Sequence, residues 1–107
     1  MLHSGHGCGD ALIFLQRGNA KAGVNALTYG LARTFGPTVR VNCIVPGPFL
    51  TDISKAWDFA EGQNPFGHFA LQRAGNPDEI VGAALFLMSD ASSYTTGSIL
   101  RADGGIP

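Results

Sequence analysis

Side chains able to do chemistry gather near the start of the chain and around its first helical pattern. His3, His6 and Cys8 stand close together, and imidazole and thiolate are zinc ligands. Their spacing matches no closed site and no clear fourth ligand follows beyond Asp10, so the segment reads as loop, Ser4 included, and no metal is expected. Gly5, Gly7 and Gly9 share that stretch. They follow no predicted strand, which makes them a poor phosphate-binding turn. Arg17 and Lys21 come next, four residues apart. A guanidinium, with a pKa above about 12, cannot donate and recover a proton near neutrality, and a helix lysine is by default solvated. Tyr29 lies two turns beyond Lys21 on any helix holding both. Pro46-Gly47 either ends a strand or allows a close approach, since glycine carries no Cβ.

The elements that must position these groups are legible from periodicity. From about Asn19, Val24, Leu27, Leu31 and Phe35 fall at spacings of three and four, and Gly36-Pro37 supplies a stop, which predicts a helix. Val39 to Val45 is β-branched, apolar on both faces and bounded by prolines, which predicts a parallel strand covered by helices. Asn42 within it is expected to tie down a neighbouring loop. Asn76-Pro77-Asp78-Glu79 carries an N-cap, a proline at the first helical position and a capping-box Glu, so a second helix is expected to run to about Met88. Ile80, Val81, Ala84, Leu85, Leu87 and Met88 give it a broad apolar stripe. Ser98 to Ala102 reads as a short strand closed by Asp103-Gly104-Gly105. Ala11 to Leu15 is apolar but too short to assign. The segment from Asp52 to Gly75, with Trp57, Phe59, Phe66 and Phe69, reads either as a lid or as a short helix whose aromatics fill the core.

Composition narrows the partners. The chain has 107 residues, 45% hydrophobic and 14% charged, with a net charge of −1. That allows one small α/β domain and gives no electrostatic footprint for nucleic acid or an anionic membrane. No apolar run approaches a membrane span and the start lacks a basic leader, so a cytoplasmic location is expected. Two cysteines make no disulfide framework, and Cys43 in an apolar strand reads as a small hydrophobe.

Four ordered pieces, NAKAGVNALT, VRVNCIVPGPFLT, LQRAGNPDEIVGAALFLMSDASSYTTG and the terminal ADGG, together resemble the second half of a short-chain dehydrogenase/reductase. The resemblance covers residues 18–107 of a single domain spanning 1–107, with residues 1–17 poorly matched. It implies the C-terminal half of a doubly wound, Rossmann-like parallel sheet, with Val39 to Val45 and Ser98 to Ala102 as its last two strands, and an NAD- or NADP-dependent hydride transfer on an alcohol or carbonyl substrate. On this resemblance Lys21 binds the nicotinamide ribose and assists catalysis, and Ser4 stands at the spacing of a substrate-binding serine. Pro46, Gly47, Phe49 and Thr51 line the nicotinamide. Arg17 occupies the position of the proton-donating tyrosine and no Gly-rich phosphate loop is present, so ordinary family chemistry is expected to be lost in this chain. With earlier strands missing, the Val39 to Val45 edge and the apolar face of the Lys21 helix are expected to be uncovered, which points to a non-catalytic interaction module that forms a homo-oligomer through that helix, the further alternative being a truncated or frame-shifted gene fragment.

Overall fold

The computed structural model describes residues 2–4, 10–16, 21–49 and 65–106, with the side chains of residues 2–4 and 21 left aside. The elements run β1 (Leu2–Ser4), β2 (Asp10–Leu15), α1 (Lys21–Phe35), β3 (Val39–Pro46), α2 (Pro77–Met88), a 3-10 turn (Asp90–Ser92) and β4 (Ile99–Ala102). They form one four-stranded sheet in the order β1-β2-β3-β4. β2, β3 and β4 are parallel, with Leu15 opposite Ile44 and Ile44 opposite Leu100, while β1 pairs antiparallel to β2.

Two expectations change at the start of the chain. Leu2–Ser4 is a strand rather than loop, and the unassigned apolar run is β2. As a result β3 is no edge: β2 pairs with it on one side and β4 on the other. Each side of β3 serves a different helix. Ile44 packs with Ile13 and Leu87, joined by Ile80, Ala83, Ala84, Met88 and Leu100, so this face is covered by α2. Val41 and Cys43, equally buried, lie on the opposite, α1 face by strand alternation.

Helix α1 meets the sheet through smaller side chains than its periodicity predicts. Thr28 and Ala32 are buried, Val24 and Leu31 are half-buried, and Leu27 and Phe35 remain 49% and 44% exposed. The buried stripe is therefore rotated from the one expected. Thr28 pays no polar penalty there, because its hydroxyl donates to Val24 O at 2.7 Å. Small residues let the helix approach Gly97, whose φ of +72° suits glycine and whose N–H donates to Val41 O at 2.7 Å. On α2 the expected apolar stripe is likewise narrower, since Val81 and Leu85 face outward.

The chain after α2 is held by two polar residues of β3. Asn42 donates to Thr95 O at 3.1 Å and accepts from Ser98 N at 3.0 Å, the loop-tying role expected of it. Arg40 is buried and aims its guanidinium at carbonyls of residues 87, 89, 92 and 95. Its cation thus lies where the C-terminal end of a helix dipole favours positive charge.

Candidate functional site

The parallel strands direct the candidate residues to one end. Lys21 is the first residue of α1, which follows the carboxyl end of β2, while Pro46 closes β3 and Gly47 continues its ladder by donating to Ala102 O at 2.9 Å. Ligands of open α/β sheets bind outside these carboxyl ends. Ser4 is not brought there. It pairs with Ala11 near the amino end of β2, the level of Arg40, which is six residues and roughly 20 Å along the strand from Pro46. Arg17 and Thr51 lie outside the described residues, as do Trp57 and Phe59.

Gly47 is needed for a reason internal to the fold. A Cβ there would stand 2.6 Å from Asp103 Cα, so the missing side chain lets the β3 exit pass over the turn that follows β4. Phe49 then bridges to Gly75 and rests its ring where a Gly75 side chain would be, while Gly75 N–H donates to Pro48 O at 2.9 Å. The turn itself is fastened twice. Asp103 accepts from Arg101 Nε at 2.9 Å and Gly105 N at 3.0 Å, and the carbonyls of Gly104 and Gly105 accept from Leu71 and Ala70. Burial pushes the Asp103 carboxyl up, but these donors outweigh it and hold it below its ordinary value.

Beside Phe49 opens a cleft of about 460 Å³, walled by Arg73, Glu79, Arg101 and Asp103 together with the Gly104-Gly105 turn. Its charges pair two by two: Arg73 grips Glu79 at 2.7 and 2.8 Å, and Arg101 holds Asp103. Glu79 also accepts from Asn76 N at 2.8 Å in the capping box. Arg73 first, and then this N–H, draw its pKa down to about 2. Among the described residues, Pro46 and Gly47 do not line this cleft. Phe69 is buried against the neighbouring Gly104 turn, and the half-buried Phe66 lies 5.5 Å from it between ring centroids.

One residue at the carboxyl ends had no motif to announce it. Gln16, directly after β2, is buried and donates its N–H to Ile44 O at 3.0 Å, yet neither polar atom of its side chain has a partner among the described residues. A buried amide without a partner at the ligand-binding end of a parallel sheet fits a polar ligand group. Cys43 is different in kind: burial pushes its thiol up, despite hydrogen bonding from Thr28 and Gln16, so it is an inert core thiol.

Parallel strands with interleaved helices, and candidate groups gathered at their carboxyl ends, define the doubly wound, Rossmann-like class of α/β folds. The sequence model described as enoyl-(acyl carrier protein) reductase matches residues 16–107. The chain belongs to the short-chain dehydrogenase/reductase family. It is 49% identical over 92 residues to a peroxisomal 2,4-dienoyl-CoA reductase of Danio rerio, covering 82% of this chain and 31% of that protein. It is 43% identical over 88 residues to a 3-oxoacyl-[acyl-carrier-protein] reductase of Chlamydia trachomatis, covering 81% and 36%. Among solved structures, a mutant short-chain dehydrogenase/reductase of Serratia marcescens superposes with a TM-score of 0.77 at 30% identity, over 92% of this chain and 46% of that one. A blue fluorescent protein from a metagenomic library, in complex with NADPH, gives 0.76 at 27%, over 92% and 45%. The chain spans about a third of the length of the curated relatives it matches.

Proposed function

We propose that this chain forms one side of a nicotinamide-nucleotide cleft serving hydride transfer between NAD or NADP and an alcohol or carbonyl substrate. The supporting observation is the convergence of the α1 start at Lys21, the Pro46-Gly47 exit of β3 and Phe49 at the carboxyl ends of the parallel strands. The unpartnered Gln16 amide at the same ends is the polar feature that fits a bound nucleotide. In this reading Lys21 holds the ribose, and Thr51 with backbone near Phe49 holds the carboxamide. The bound nicotinamide supplies the hydride donor or acceptor. Lys21 can carry positive charge toward a bound hydroxyl, but Arg17, four residues before it at the family's tyrosine position, cannot cycle a proton near neutrality. The chain by itself is therefore a cofactor-cleft component without turnover, and the cytoplasm is its setting.

Incubation with NADH or NADPH and a panel of carbonyl compounds is expected to give no cofactor oxidation, while either nucleotide raises the unfolding temperature by linkage. Oxidation that disappears in Lys21→Ala would overturn the absence of turnover. No protection by either nucleotide would sink the cleft reading itself.

A second reading, self-association as a non-catalytic module, is favoured by the outward apolar side chains Leu27, Tyr29 and Phe35 of α1. Sedimentation is expected to give a homo-oligomer, and a folded monomer at micromolar concentration would exclude it.

A further inference from the structure

Three features could each take a ligand or a partner: the cleft beside Phe49, the outward face of α1, and Gln16. The cleft's charged walls are already paired within the chain, and nothing in the structure shows what covers the helix face. Gln16 presents an unmet chemical demand. It is only 2% exposed, and its N–H continues the parallel ladder onto Ile44 O. With Leu15 opposite Ile44, strand alternation puts the Gln16 side chain on the α1 face, with Phe14 and Cys43. This is the face over which α1 begins at Lys21. Oε1 and Nε2 both lack partners among the described residues. A buried polar side chain left unpaired is costly, and a cost of this kind is tolerated where it serves a ligand.

We infer that the Gln16 carboxamide contacts the cofactor, hydrogen-bonding the nicotinamide nucleoside at the carboxyl ends of β2 and β3. The inference rests on the nucleotide-cleft reading above. Its chemistry follows from the two orphan atoms, since Nε2 needs an acceptor and Oε1 a donor. A carbonyl substrate satisfies only Nε2. A ribose hydroxyl or the nicotinamide carboxamide offers both, and both belong to the nucleoside. An alcohol substrate also offers both, so a titration with nucleotide alone separates the two sources.

The test compares the full chain with Gln16→Met, a linear apolar replacement of similar length, and with Gln16→Leu as a second variant. Thermal unfolding is followed alone and with nicotinamide mononucleotide, the half of the cofactor that this contact needs. Without ligand, Gln16→Met is expected to unfold about 4–8 °C higher than the parent, because the orphaned amide is gone. Its affinity for the mononucleotide is expected to fall about tenfold. A lower unfolding temperature in both unliganded variants would mean that the amide is paired within the fold, and overturns the inference. Equal mononucleotide affinity in parent and variant overturns it as well. Protection of the parent by NAD or NADP but not by the mononucleotide overturns the Gln16 contact and spares the cleft, whereas no protection by any of them overturns both.

Discussion

Arg40 and Ser92 lie 52 residues apart in sequence and are joined by two contacts of 2.8 Å, from Nη1 of the buried guanidinium to the backbone carbonyl and to the hydroxyl of Ser92. The same guanidinium reaches Leu87 O and Ser89 O at 3.3 and 3.2 Å. One side chain on the central strand therefore closes the end of α2 and aims the chain toward β4. Arg40→Met leaves several buried carbonyls without a donor, a loss expected to cost about 3 kcal/mol. Urea unfolding measures it. Arg40→Lys, a point charge without the planar fork, is expected to recover only part of the difference, and a neutral outcome for Arg40→Met would show the cluster to be dispensable.

The face that α1 turns to the sheet predicts opposite outcomes at neighbouring positions. Ala32→Leu adds bulk at a buried site close to Gly97 and is expected to destabilise by about 1–3 kcal/mol. Leu27→Ser removes a half-exposed leucine and is expected to change stability by no more than about 0.5 kcal/mol. Equal losses of chemical-denaturation midpoint in the two variants would contradict the observed rotation of the helix.

Glu79 gives stability a defined acid dependence. Its folded pKa of about 2 lies below the ordinary carboxylate value, because Arg73 and then Asn76 N–H favour the ionised form. A lowered folded pKa means that the unfolded chain binds the extra proton first. The contribution is complete above the unfolded value of about 4.3 and disappears as pH falls through about 2. Unfolding curves from pH 6 down to pH 2 are expected to show this loss in the parent and a flatter profile in Glu79→Gln. Parallel profiles would rule out the Arg73–Glu79 pair as its source. The pair is exposed, so salt is expected to weaken the effect.

Gly47→Ala is expected to destabilise by about 1–3 kcal/mol, because the new methyl meets the Asp103 backbone rather than a movable side-chain tip. The displaced turn carries the Gly104 and Gly105 carbonyls that hold Leu71 and Ala70. Loosening of residues 70–71 should accompany the loss, detected as faster amide exchange there than in α2. Unchanged exchange would place the strain elsewhere.

The sequence by itself determined the local elements whose causes are local. The Asn76-Pro77-Asp78-Glu79 start and the apolar spacing to Met88 specify α2 to the residue, and the β-branched run between two prolines specifies β3, which runs one residue further than its apolar pattern. The family was legible for the same reason, since its pieces are contiguous stretches matched over residues 16–107. The loop-tying role of Asn42 was legible too, because a polar side chain inside a buried strand must find a partner.

Only the tertiary structure decided which neighbours those elements have. Three residues of β1 carry too little pattern to read as a strand, and β2 becomes one by pairing on both sides. That pairing makes β3 central where the sequence left it an edge. The buried stripe of α1 turned on how closely the helix could approach the sheet, so Thr28 and Ala32 displaced Leu27 and Phe35 from contact. Ser4 fell at the far end of the sheet although its spacing from Arg17 had suited the site, because spacing along a chain carries no direction once the chain reverses. Gln16 was silent in sequence, for an amide becomes informative only when burial removes water and leaves its two polar atoms without partners.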